Sequence, residues 1–326
     1  MFEIVRHHRT KWDASAGAEQ PITLVPINRG PLAGKKIFTV GSCFALEIRH
    51  ELAALGYDTF PKYFEIEFDP TKAMVGKLPE RDNINHYSIA SVLQEIENIA
   101  APKPIFSREF FYDLSLQDTV TRQLKRFVKS IVSSNQGRFD AKWQDPFRKQ
   151  VYATELNLLE ALSNEISEKI REGARNADLF VITLGMTEVW ADRKSGLVVC
   201  NSYGARVDEH LCEFVDLSVG DVVRMAGDAI RRIRQLSPRA DVVLTVSPVP
   251  LQRTAKSESV VTANSLSKAK QRVAAAEVCS QFENVFYFPS FELSRDADFY
   301  VQDGRHVARA KVSHIVECFL RWYQGG

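Results

Sequence analysis

The chain has 326 residues, and its 42 Lys and Arg against 41 Asp and Glu give a formal net charge of +1. This balance excludes the excess of basic side chains that is typical of nucleic-acid-binding proteins. No apolar run approaches the roughly 18 residues needed to cross a bilayer, and the N-terminal segment lacks the apolar core of a signal peptide. We therefore expect a soluble protein with no membrane span and no nucleic-acid partner.

The cysteines indicate a reducing compartment. Five cysteines are scattered along the chain, an odd number without a CxxC pair. This pattern argues against a disulfide framework and against a zinc site. The cysteines are Cys43, Cys200, Cys212, Cys279 and Cys318. We expect a cytoplasmic protein without a structural metal.

The chain opens with the pattern of a βαβ unit. Residues 1–33 carry several prolines and glycines and are expected to form an irregular arm. Residues 36–41 then form a short apolar run that ends on a glycine, typical of a buried strand. Phe44, Ile48 and Leu52 follow at spacings of four, which predicts one apolar stripe of a helix.

Later segments repeat this alternation of strand and helix. Near-continuous apolar runs are typical of strands that are buried on both faces of a parallel sheet. The predicted strands after the first cover 57–60, 178–184, 241–246 and 284–288. Helical periodicity covers 153–174, 220–236 and 307–323. The alternation predicts an α/β fold with a doubly wound, mainly parallel, five-stranded sheet between two helical layers.

Residues 60–150 interrupt the alternation. Helices are predicted at 86–100 and 120–133, with the aromatic cluster of Phe106, Phe110, Phe111 and Tyr112 between them. We interpret the segment as a helical insertion after the second strand. It either walls a substrate pocket or has a purely structural role. No linker separates it from the rest, so we expect one domain over 1–326.

Candidate chemistry is sought where strands end, because open α/β sheets bind ligands outside the carboxyl ends of their strands. Cys43 follows the first strand at the start of a helix, where backbone N–H groups and the helix dipole lower a thiol pKa. The alternative for Cys43 is a buried small apolar residue. Ser42 is either the nucleophile or the N-cap of the helix.

His306 lies before the last predicted helix, with Asp303 three residues ahead of it. A carboxylate at that spacing can accept a hydrogen bond from one imidazole nitrogen and leave the other to act as a base. A histidine at a helix start is otherwise a cap or a core residue. The pair is therefore a candidate base and its orienting group.

The sequence resembles the GSCFA-domain family, whose name is spelled by Gly41-Ser42-Cys43-Phe44-Ala45. Other segments resemble the family in the expected order over about residues 36–320. They are Asp82-Asn83-Ile84, Asp145-Pro146-Phe147-Arg148, Thr183 to Trp190, Leu244 to Leu251, Asn264 to Lys268 and Tyr287 to Glu292. The family is related to the SGNH (GDSL-like) hydrolases, which implies a flavodoxin-like strand order of 2-1-3-4-5, with part of 60–150 over the carboxyl edge.

The resemblance implies roles for single residues. The superfamily's Gly-Asp-Ser falls on Gly41, Ser42 and Cys43, which makes Cys43 the nucleophile. Its Asp-x-x-His motif falls on Asp303 and His306.

The Gly-x-Asn-Asp block of the superfamily falls on Gly185 to Glu188, where Thr187 replaces the asparagine that helps to hold the oxyanion. Asn83 is our candidate for the missing donor, and its alternative role is a helix cap or a turn. Glu188 and Trp190 are candidates to orient the loop or to stack on a sugar ring of the substrate, and the alternative role of Trp190 is packing in the core.

The implied function is an acyltransferase or an ester hydrolase that acts on a carbohydrate or glycan, as in bacterial surface-polysaccharide synthesis. No cofactor is required, but acyl-coenzyme A is a plausible donor; Lys268, Arg253 and Arg148 are phosphate-binding candidates by charge alone. The alternative is a non-catalytic carbohydrate- or nucleotide-binding domain on the same scaffold. The oligomeric state does not follow from the sequence.

Overall fold

The fold is taken from a computed structural model of the chain. It describes residues 22–75, 84–116, 122–132 except 124, 127 and 131, 139–200 except 149, 211–294 and 299–325. The statements below concern these residues.

The eleven strands are numbered in chain order. They are β1 (Lys36–Gly41), β2 (Asp58–Phe60), β3 (Ala73–Val75), β4 (Tyr112–Asp113), β5 (Trp143–Gln144), β6 (Val151–Ala153), β7 (Leu179–Leu184), β8 (Glu188–Asp192), β9 (Cys212–Asp216), β10 (Asp241–Val246) and β11 (Val285–Tyr287). The α-helices are α1 (Cys43–Ala54), α2 (Ile89–Ala100), α3 (Leu156–Ala174), α4 (Val219–Leu236), α5 (Val260–Gln281) and α6 (Arg309–Gln324).

The main sheet has five parallel strands in the order β2-β1-β7-β10-β11. Numbered along the chain, this order is 2-1-3-4-5, so the predicted fold class and strand order are confirmed. Strands β1, β7 and β10 are almost wholly buried, which explains why they lack the polar alternation of a half-exposed strand.

Helices cover both faces of the sheet. Phe38, Phe180 and Leu244 point to one face and pack in the core with residues of α2, α3, α4 and α5. Ile37 and Val181, which alternate with them along the strands, pack on the other face with α1 and α6. The result is a three-layer α/β/α arrangement in which α1 and α6 lie in the same layer.

The segment 60–150 is more than a helical insertion. It contributes β3, β4 and β5 to a four-stranded antiparallel sheet that β6 completes, in the order β3-β6-β5-β4. The sequence did not predict this sheet, because its strands are only two or three residues long. Helix α2, within the predicted 86–100, packs in the core beside the main sheet. The described residues of the predicted helix 120–133 are helical.

Of the arm, the structure describes residues 22–33, which lie along α6 and are called the arm below. Residues 22–33 have no regular secondary structure, yet the N–H groups of Ile27 and Arg29 donate to the carbonyls of Trp322 and Tyr323, each at 2.8 Å. The Arg29 guanidinium and the Tyr323 hydroxyl both bind the Asp241 carboxylate at the start of β10. The arm is thereby fixed to the amino edge of the sheet.

Within the residues that the structure covers, no helix combines the length and apolar character that a membrane crossing requires. The same residues contain no group of three or more His, Cys, Asp or Glu side chains that could hold a metal ion.

Candidate functional site

The three central strands end at one level of the sheet. Gly41 pairs with Thr183, and Leu184 pairs with Val246. Backbone hydrogen bonds continue one residue further, from Ser42 N–H to the Thr183 carbonyl and from Ser247 N–H to the Leu184 carbonyl. The residues that follow β1, β7 and β10 therefore lie side by side at the carboxyl edge.

Two glycines allow the backbones to approach at this edge. Gly41 has a φ of +136°, and a Cβ there would lie 2.2 Å from the Thr183 carbonyl oxygen. A Cβ on Gly185 would lie 2.5 Å from the backbone carbonyl oxygen of Tyr87 and 2.9 Å from Cβ of Ser42. Any side chain at either position would displace the turn that carries Ser42.

Ser42 and Cys43 have different environments. Ser42 is 2% exposed, and its Oγ accepts a hydrogen bond from Phe44 N–H at 3.3 Å as the N-cap of α1. Cys43 is the first residue of α1 and is partly exposed. The serine hydroxyl therefore caps the helix, whereas Cys43 is partly exposed at the carboxyl edge.

Asp303 and His306 form a contacting pair in the turn before α6. Oδ1 of Asp303 accepts from the backbone N–H groups of Arg305 and His306, and Oδ2 contacts Nδ1 of His306. The contact with the imidazole is the main cause that lowers the pKa of the Asp303 carboxyl. Both side chains are about half exposed.

The turn with His306 is attached to the loop that follows β10. The Tyr300 hydroxyl donates to the Pro248 carbonyl at 2.9 Å, and the Arg305 guanidinium donates to the Pro250 carbonyl at 3.4 Å. These contacts hold the Asp303–His306 pair at the edge where Cys43 lies. Within the described residues, His306 has no side-chain hydrogen bond to Cys43 or Ser42; its imidazole partner is Asp303.

Thr187 and Glu188 have structural partners. The Thr187 hydroxyl donates to Asp216 at 3.2 Å, and its N–H donates to the Ser267 hydroxyl at 3.1 Å. Glu188 is 5% exposed, and its carboxylate accepts from the Thr254 hydroxyl and from Ala255 N–H. Glu188 thereby binds the loop after β10.

Asn83 lies outside the described residues. The segment just after it borders the candidate site, where His86 N–H donates to the Gly41 carbonyl at 2.8 Å and Met186 N–H donates to the Tyr87 carbonyl at 2.9 Å. A small pocket adjoins this segment. Its lining includes Asn85, Tyr87, Ser88 and Phe147.

Two of the three phosphate-binding candidates are not available to a ligand. Arg148 is fully buried and is bound to Glu95, Ser163 and Ser167. Lys268 is 1% exposed and is bound to backbone carbonyls. These two expectations are wrong, because charge along a sequence does not reveal whether the side chain is already paired inside. Arg253 is exposed.

Lys268 belongs to the site in another way. Its Nζ donates to the carbonyls of Gly185 and Val249, each at 2.9 Å, and so joins the ends of β7 and β10. No periodicity in the sequence marks Lys268 as buried, because the residues buried beside it on α5, Ala263, Ser267 and Gln271, are small or polar.

Comparison with known proteins gave a family and matches among solved structures. The sequence model of the GSCFA family matches residues 36–319, a range that includes Cys43, Asp303 and His306. No curated protein matches. A family 3 carbohydrate esterase from Clostridium thermocellum aligns over 88% of this chain and 97% of its own, at 12% identity and a TM-score of 0.33.

Proposed function

Because the chain belongs to the GSCFA family, we propose that it is an acyl-transfer enzyme, an acyltransferase or an esterase, with Cys43 as its nucleophile. The carbohydrate or glycan substrate is proposed from the relationship between this family and the SGNH hydrolases. The proposal is supported by the position of Cys43 and the Asp303–His306 pair outside the carboxyl ends of the strands, where open α/β sheets bind ligands.

The contact between Asp303 and His306 carries the proposal. A carboxylate on Nδ1 fixes the tautomer, so that Nε2 is left to exchange protons. The pair is exposed to solvent and attached to the loop after β10, at the same edge as Cys43. A histidine with only a packing role has no need for either feature.

In the proposed reaction, Sγ of Cys43 attacks the acyl carbonyl while its proton passes to Nε2 of His306, directly or through one water. The tetrahedral intermediate then expels the alcohol or thiol of the donor, which takes the proton from His306. The product of this half-reaction is a thioester on Cys43. Water or a sugar hydroxyl attacks the thioester, His306 accepts its proton, and the acid or the new ester leaves as Sγ regains a proton.

The two remaining parts of the proposal concern the oxyanion and the donor. We propose that the backbone N–H of Cys43 and the side chain of Asn83 stabilise the oxyanion, with a contribution from the Gly185 backbone. Thr187 is not proposed as a donor, because its hydroxyl and its N–H already donate to Asp216 and Ser267. Acyl-coenzyme A is the proposed donor for transfer, with Arg253 as the exposed cation that could meet its phosphates. Loss of one oxyanion donor typically costs about 10²–10³ in turnover.

The test is intact mass spectrometry after incubation with acetyl-coenzyme A and, separately, with an activated ester. We expect an acyl adduct that maps to Cys43 and is absent from Cys43→Ala. Cys279→Ala is the matched control, because Cys279 is also partly exposed and lies on the far part of α5. Saturable sugar binding without any adduct on wild type would favour the alternative of a non-catalytic binding domain.

A further inference from the structure

Lys268 is a buried cation at the centre of the strand ends. Its side chain is 1% exposed, on the face of α5 that packs against the core. An ammonium group has three N–H donors, and two of them bind the carbonyls of Gly185 and Val249. In the described part of the chain, the third N–H has no hydrogen-bond acceptor.

The position of Lys268 brings its charge close to the candidate nucleophile. Gly185, whose carbonyl accepts from Nζ, packs so tightly on Ser42 that a Cβ on the glycine would lie 2.9 Å from Cβ of Ser42. Cys43 is the next residue. The ammonium is therefore bound to the residue that packs against the Ser42–Cys43 turn.

The electrostatics of the two groups are coupled. Burial lowers the pKa of Lys268 to about 7, and the negative charge of Cys43 acts in the opposite direction and raises it. Coupling of this kind is reciprocal, so an ammonium that a thiolate favours will in turn favour the thiolate.

We propose that Lys268 is a positioning residue whose ammonium holds Cys43 in its thiolate form. The geometry points to this role because the buried Nζ is fixed by two carbonyls at the ends of β7 and β10, next to the Ser42–Cys43 turn. The Cys43 thiol loses its proton to solvent or to His306, and the charged form of Lys268 is the form that favours the resulting thiolate. The use of such a thiolate in acyl transfer rests on the proposed function.

Other titratable groups around the edge have partners or positions of their own. Glu188 binds Thr254 and Ala255, Asp303 binds His306, and His86 is buried beside Glu95. Glu47 lies one helical turn after Cys43 on α1. Lysines 256 and 270 both bind Asp216. The charge that acts on the pKa of Lys268 is that of Cys43 and not that of any of these groups.

The experiment measures how alkylation of Cys43 by iodoacetamide depends on pH, with mass spectrometry to locate the label. Lys268→Met removes the charge and keeps the length of the side chain. Lys268→Gln also removes the charge but keeps an amide that can donate to the two carbonyls. Lys270→Met is the matched control, because Lys270 lies on the same helix and binds Asp216 and the Leu217 carbonyl instead.

We expect the alkylation midpoint of wild type to lie below the ordinary thiol value of about 8.5. Both Lys268 variants should raise the midpoint by about one pH unit or more, which slows labelling near pH 7 about tenfold. Lys270→Met should leave the midpoint unchanged. An unchanged midpoint in a folded Lys268 variant overturns the proposal. Should neither variant fold, a wild-type midpoint at or above about 8.5 overturns it.

The same measurement separates this proposal from the proposed function, because alkylation needs no substrate. If wild type forms no acyl adduct but the alkylation midpoint is raised in Lys268→Met, the proposed acyl-transfer activity is contradicted and the proposed role of Lys268 is supported. If the acyl adduct forms equally well on wild type and Lys268→Met, and their alkylation midpoints are equal, the acyl-transfer activity is supported and the proposed role of Lys268 is contradicted.

Discussion

Asp303 contacts His306 at two atoms, since one carboxylate oxygen accepts from the backbone N–H and the other meets Nδ1 of the ring. The first contact shapes the turn, and the second orients the imidazole. A substitution that keeps one and alters the other therefore separates folding from chemistry.

Asp303→Asn is that substitution. Its amide oxygen can still accept from the backbone, but its NH₂ group can meet Nδ1 only as a donor and so favours the wrong tautomer. We expect acyl-adduct formation to fall by about 10² or more, with little change in thermal unfolding because the pair is exposed. Asp228→Asn, in an exposed ion pair with Arg231, is the control. Equal adduct formation in the two variants would remove Asp303 from the site.

Substitutions of Ser42 and Cys43 should affect different properties. Ser42→Ala removes the N-cap of α1 and is expected to cost about 0.5–2 kcal/mol of unfolding free energy, while adduct formation persists. Cys43→Ala is expected to abolish the adduct. Denaturant unfolding and intact mass give the two readouts. A Ser42→Ala protein that folds but forms no adduct would identify serine as the nucleophile.

Arg148 is expected to be essential for stability. It is fully buried, and its guanidinium donates to both carboxylate oxygens of Glu95, at 2.9 and 2.5 Å. Arg148→Met leaves that carboxylate buried without its main partner, which is expected to cost about 3–5 kcal/mol. Chemical denaturation of the single variant and of the double variant with Glu95→Gln measures the coupling. The double variant should lose less than the sum of the single losses, and strict additivity would contradict the pairing.

His86 is expected to make stability depend on pH. Burial lowers its pKa to about 4, against the opposing effect of Glu95. Between about pH 4 and its ordinary pKa of about 6.5, the unfolded chain binds more protons at this position than the folded chain does. The unfolding free energy therefore rises with pH across this window.

Removal of the imidazole tests this dependence. In His86→Leu, the rise between about pH 4 and 6.5 should be smaller than in wild type, as measured by urea denaturation at a series of pH values. His314→Leu is the control, because His314 lies on the exposed side of α6. Equal slopes in wild type and His86→Leu would contradict a neutral, buried His86.

The main sheet could be predicted because its signals are local. Each strand is a short apolar run, and each helix except α5 has its own periodicity, so neither depends on knowing the partner. Helix α5 was not predicted, because its buried residues are mostly small or polar. The pairing of Asp303 with His306 was also predictable, because the two residues lie three positions apart. In contrast, β3 to β6 are too short for any period to show, and their antiparallel sheet could not be inferred.

The partners of buried polar side chains could not be predicted from the sequence, for a different reason. Arg148 meets Glu95 across 53 positions, and Lys268 meets Gly185 across 83. The sequence does not show whether a charged side chain is exposed to water or is paired with a buried group. Thr187 illustrates the same limit, since its hydroxyl donates to Asp216 on a separate strand. Such pairings follow from the fold, and the fold had to be known first.

The arm described above has a consequence for how the folding unit is delimited. The family match covers 36–319, yet the Asp241 carboxylate at the start of β10 is bound by Arg29 on one side of that range and by Tyr323 on the other. A fragment trimmed to the matched range would leave this nearly buried acid with neither partner and would uncover the side of α6 on which residues 27 and 29 are anchored. The range that the family model matches is thus shorter than the range of residues needed to pair Asp241 and to cover α6.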